Sequence, residues 1–140
     1  MELEHTLAAA QHLVPRAQHD CAPPFFVCGG LVFQPLSAEY LQGWSTSGRP
    51  AHLQDLLLRG HANKNLTEAV VITQILADEI NHGYGSGFIG APIVRAVNGE
   101  QVRDLANLVR VVREARRASP PGFLRFETED GRGPFQLVLP

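Results

Sequence analysis

Nucleophilic catalysis, metal ligation, phosphate cradling and carboxylate capture are the chemistries that this sequence's residues could support, and spacing decides among them. A serine nucleophile needs a base within hydrogen-bond reach and donors for the developing oxyanion. The serines are Ser37, Ser45, Ser47, Ser86 and Ser119, and none sits in G-x-S-x-G or G-x-S-G-G, so no triad is expected. Glu79 and His82 share one helix face, as in di-iron bundles, but a single copy lacks the partner carboxylates such a site requires. His5, His12, His19, His52 and His61 fall in loops or the N-terminal arm and form no H-x-x-x-H pair. Cys21 and Cys28 are read as free thiols. No metal and no cofactor is expected.

Gly85-Ser86-Gly87-Phe88-Ile89-Gly90 matches G-x-G-x-x-G. A dinucleotide site needs a strand before that pattern and a helix opening after it, so that the pyrophosphate meets the helix N-terminus. Here Pro92 and a strand follow, so these glycines read as turn residues. Gly29-Gly30 entering Leu31-Val32-Phe33 offers something else. Successive backbone N–H groups of such a turn can converge on a carboxylate, with a peptide adding beside the apolar strand. The same residues also read as a plain turn in front of a core strand.

The elements that must position these residues follow from periodicity. Phe25-Phe26-Val27 and Leu31-Val32-Phe33 are short strands, and Ser37 can cap a helix through Glu39-Tyr40-Leu41. Leu53, Leu56 and Leu57 mark an amphipathic helix over 51–59, after a polar loop. The run 69–76 is a strand buried on both faces or central to a sheet. Asp78 to His82 reads as a helical turn and 83–90 as a glycine loop. Ile93 to Val97 is a strand ending at the Asn98-Gly99 turn. The long helix is placed at 102–115, with Val102, Leu105, Leu108, Val109 and Val112 on one face. Phe123, Phe126 and Thr128 open a closing hairpin that turns at Asp130 to Gly133. The sum is a small α+β domain, a partly open β-barrel with a helix packed on it.

Composition narrows the partners. The 140 residues are 44% hydrophobic and 19% charged, with a formal net charge of −2. Lys64 is the only lysine, and Arg110, Arg113, Arg116 and Arg117 suit a solvated helix end. Neither nucleic acid nor an anionic membrane is an expected partner, since both require clustered basic residues. No run of 18 apolar residues exists, and the first residues lack signal-peptide character.

Several segments taken in order carry a resemblance. Pro24 to Ser37, then Tyr40-Leu41, resembles the opening of the second PDZ domain of plant-type Deg/HtrA (Do-like) serine proteases. Val70 to Tyr84 resembles that family's V-V-x-S-Q-V-L-x-x-D-I-N-x-G-Y segment. Ile93 to Gly99, Val102 to Leu105 and Leu108-Val109 resemble its next strand, turn and helix, and Phe123 to Glu127 with Leu137 to Leu139 its closing hairpin. Leu13 to Asp20 looks like the linker leaving a first PDZ domain.

The resemblance implies a PDZ-like barrel of five to six strands with one long and one or two short helices. Residues 1–24 would be the arm and 25–140 the domain. It implies a chain without catalytic machinery, drawn from a parent serine endopeptidase, that docks and regulates. Its partners would be a peptide or protein segment or a neighbouring PDZ or protease domain, with a homo-oligomer formed through the full-length protein. The alternative is a module that binds C-terminal peptides. The carboxylate-loop role falls on Gly29, Gly30, Leu31, Val32 and Phe33, and the groove wall on Leu105, Leu108, Val109 and Val112. In such second domains an internal segment is thought to fill the groove. Relatives place the chain inside the cell, in chloroplast, mitochondrion or nucleus.

Overall fold

The computed structural model describes residues 12–15, 22–44, 48–76, 91–118 and 122–140. In chain order the elements are β1 (Phe26–Cys28), β2 (Leu31–Pro35), α1 (Ala38–Gln42), α2 (Ala51–Arg59), β3 (Val70–Ile75), β4 (Ile93–Val97), β5 (Glu100–Gln101), α3 (Leu105–Arg117), β6 (Leu124–Asp130) and β7 (Gly133–Leu139). The strands form one antiparallel sheet in the order β1-β2-β3-β4-β6-β7, with β5 paired to β4. This is the expected α+β, partly open barrel. The Asp78 to His82 turn and the glycine loop 83–90 lie outside the described residues.

Local chemistry explains the element ends. Ser37 has extended backbone and its hydroxyl accepts the Tyr40 N–H at 3.2 Å, capping α1. Ser37→Ala is expected to cost about 1 kcal/mol, read as a lower urea midpoint with an unchanged slope. Asn98 and Gly99 both take positive φ, 50° and 83°, and fold β4 back on β5.

That fold-back shortens the long helix at its start. The sequence places residue 102 in the helix, whereas Val102 continues the strand register, its N–H donating to the Arg95 carbonyl. Asp104 then becomes the cap, its carboxylate accepting the Asn107 N–H at 2.7 Å, and Asn107 in turn accepts the Arg103 N–H at 3.1 Å. Phe123 likewise falls just before β6 and is exposed. His52 sits in α2 rather than in a loop, with Nε2 3.0 Å from the Ala91 carbonyl.

Two apolar clusters flank β3. Val70 and Ile72 join Leu31, Phe33, Leu108, Leu124 and Phe126 beneath α3. Val71, on the opposite face, joins Leu13, Val14, Leu36, Leu41 and Leu53 beneath α1 and α2. Alternate side chains of one strand point to opposite faces, so a two-sided strand must be apolar throughout. The Val70-Val71-Ile72 run meets that demand, and all three side chains are buried. Leu13 and Val14 are drawn into the second cluster by two backbone bonds: Leu13 N–H donates to Gly60 O and Ala38 N–H to Pro15 O, each 3.1 Å.

Candidate functional site

Gly29 and Gly30 take φ of 56° and 78°, a conformation that side-chain-bearing residues resist. Two consecutive positive φ values make the tight turn whose twist matches an antiparallel hairpin. The hairpin follows directly, with Cys28 opposite Leu31, Val27 opposite Val32 and Phe26 opposite Phe33. Gly30 is buried and its carbonyl accepts the Leu76 N–H at 2.7 Å. Both edges of β2 are therefore occupied, one by β3 and the other by β1. Leu31 and Phe33 point into the core, and Val32, on the other face, is half-buried.

The four helix residues separate. Leu105, Leu108 and Val112 are buried in the cluster beneath α3, together with Val111. Val109 is half-buried and lines a cleft of about 590 Å³ on the flank of the helix, which Leu105, Ala106 and Pro24 also line. Val111 escaped the sequence reading although its three-residue step from Leu108 is the signal that marks a buried face. The cleft escaped it too, because Pro24 meets α3 only through the chain's tertiary path.

Three arginines, Arg110, Arg113 and Arg117, border this cleft. Arg110 is committed, with Glu114 at 3.0 Å and Glu100 at 3.2 Å. Hydrogen bonds to Glu114 and then Glu100 raise its guanidinium pKa above the ordinary value. Arg116 points elsewhere, donating to the Pro140 carbonyl at 3.1 Å and lying 3.8 Å from the Cys28 sulfur. Cys28 is a buried free thiol at the end of β1. That contact ties the C-terminal turn of α3 to one end of β1, while Pro24 brings the other end to the same helix.

Among the described residues no group of three His, Cys, Asp or Glu side chains could hold a metal. His12 and His61 stack at 6.3 Å between ring centroids and offer two ligands only. Of the serines, Ser37 serves as a helix cap, and Ser45, Ser47, Ser86 and Ser119 lie outside the described residues. No described helix is long and apolar enough to cross a membrane.

Comparison with known proteins gives a consistent picture. The PDZ domain family matches residues 14–139. The chain is 34% identical over 113 residues to "Putative protease Do-like 3, mitochondrial" of Arabidopsis thaliana, which covers 81% of this chain and 19% of that protein. It is 32% identical over 100 residues to "Protease Do-like 4, mitochondrial" of the same plant, covering 71% of this chain and 17% of the relative. It is 29% identical over 132 residues to "Putative protease Do-like 13", covering 94% and 22%. The chain spans about a fifth of the length of these relatives.

Proposed function

The chain belongs to the PDZ domain family, in the form found in Do-like proteases, and from that premise we propose that it is a non-catalytic docking module that regulates proteolysis. The observation that carries this reading is the pairing of β1 with β2. A peptide that adds as a strand needs unpaired main-chain N–H and C=O groups along an edge. On β2 the ladder groups of Leu31 and Phe33 face Cys28 and Phe26 instead. The turn residues Gly29 and Gly30, with Leu31, Val32 and Phe33, thus hold a segment of the chain itself. Leu105, Leu108, Val109 and Val112 form the wall beside it, three of them packed as core.

A domain whose receiving strand is already satisfied recognises partners through its outer surface, here a neighbouring PDZ or protease domain. The test is sedimentation velocity and calorimetric titration of the chain against a Do-like protease lacking its corresponding PDZ domain. The expected result is a saturable complex, with C-terminal peptides binding no better as free acids than as amides. Absence of the complex, together with peptides that bind only as free acids, would replace this reading with C-terminal peptide capture at β2.

A further inference from the structure

The cleft between α3 and the approach to β1 has features that a plain core boundary would lack. It is apolar along Pro24, Leu105 and Val109, yet Arg113 and Arg117 border it. Among the described residues neither of these arginines has an ion-pair or hydrogen-bond partner, whereas Arg110 beside them has two acids. Glu68 also borders the cleft, but its carboxylate accepts the Leu105 N–H at the start of α3. Arg110, Arg113 and Arg117 outnumber Glu68 and Glu114 along the cleft, so its charge is positive.

Spacing says what could meet it. Arg113 and Arg117 are four residues apart, so they share a face and are separated by about 6 Å along the helix axis. Alternate side chains of an extended segment recur about every 6.8 Å. One carboxylate at each of two positions, two residues apart, fits one guanidinium each. β1 supplies the backbone partner. In an antiparallel pair the hydrogen-bonded positions alternate. The tight turn makes Cys28 and Leu31 such a pair, so Val27, opposite Val32, turns its N–H and C=O away from β2. Among the described residues no strand pairs with that outer edge of β1.

Resting on the docking reading, we propose that this cleft receives an extended acidic segment of a partner protein. Its main chain lies along the open edge at Val27, and two carboxylates, two residues apart, meet Arg113 and Arg117. A polyanion such as single-stranded nucleic acid fits less well, because Glu68 and Glu114 border the same cleft and the whole chain carries a net charge of −2.

The experiment is selection of a random peptide library, displayed without free C-termini, on the full chain. Enrichment of Asp or Glu in pairs two residues apart is expected. Fluorescein-labelled winners should bind roughly tenfold more weakly to Arg113→Glu/Arg117→Glu, by the loss of two charge pairs, and more weakly at high salt. The same variant should select basic peptides instead. Arg125→Glu, at an exposed position of β6 that does not border the cleft, should leave binding unchanged. Both arginines are exposed, so an unchanged urea midpoint will certify the fold. Selected peptides without acidic pairs, binding indifferent to the charge reversal, self-association in place of peptide binding, or an empty selection would each overturn the proposal. A complex with the Do-like protease that survives the double reversal sinks this inference and leaves the docking reading standing. Loss of that complex with the unmodified chain does the reverse, since peptide selection still judges the cleft alone.

Discussion

Phe33→Ala is expected to destabilise the domain by about 3–5 kcal/mol, the range for emptying a buried aromatic site. Phe33 has no solvent exposure, and its ring lies 5.3 Å from Phe126, centroid to centroid, and 6.2 Å from Phe26. The substitution removes transfer free energy and leaves a void that a strand held between β1 and β3 cannot close by shifting. Urea unfolding followed by tryptophan and far-UV signals should show the midpoint falling steeply. Phe33→Leu, which keeps most of the volume, should lose less than about 1.5 kcal/mol. Equal losses in the two variants would mean that the ring contacts with Phe126 and Phe26, rather than the filled volume, carry the stabilisation.

The second large effect is on the hairpin turn. Gly29→Ala with Gly30→Ala places two side chains at positive φ, at roughly 1–2 kcal/mol per residue. The strain falls on a strand of three residues, which has little ladder to resist it. Partial release of β1 is the expected outcome, seen as faster amide exchange at Phe26 and Cys28. Release would also uncover β2. A free-acid peptide that the parent chain ignores should then bind the double variant. Unchanged exchange at β1 would show that Phe26, packed against the core, anchors the strand without help from the turn.

Much of this was legible in the sequence because local and tertiary demands coincide. Val70-Val71-Ile72 announced a strand apolar on both sides, Ser37 announced a cap, and Gly29-Gly30 and Asn98-Gly99 announced tight turns. β5 was not legible. Glu100 and Gln101 have no strand preference of their own and are held by register with Val97 and Ala96. Leu13 and Val14 were illegible for a related reason. Two apolar residues beside a proline show no periodicity, and their burial depends on partners 22 or more residues away. At the site, the glycine turn and the apolar helix could be named from pattern. Which edge of β1 stays open, and which arginines lack acids, depend on how β1, α3 and the acids Glu100 and Glu114 come together.

The position of β3 has a consequence for how the molecule comes apart. Its successive residues belong to different clusters, Val70 and Ile72 to one and Val71 to the other, as do Ile93 and Val94 of the neighbouring β4. Any opening that displaces β3 wets both clusters at once. The helices on the two faces make no shared core of their own, yet neither can be lost by peeling its layer while β3 stays dry. A domain with two small cores thus unfolds as a single cooperative unit, and damage under α1 and α2 is felt by the face that carries the cleft.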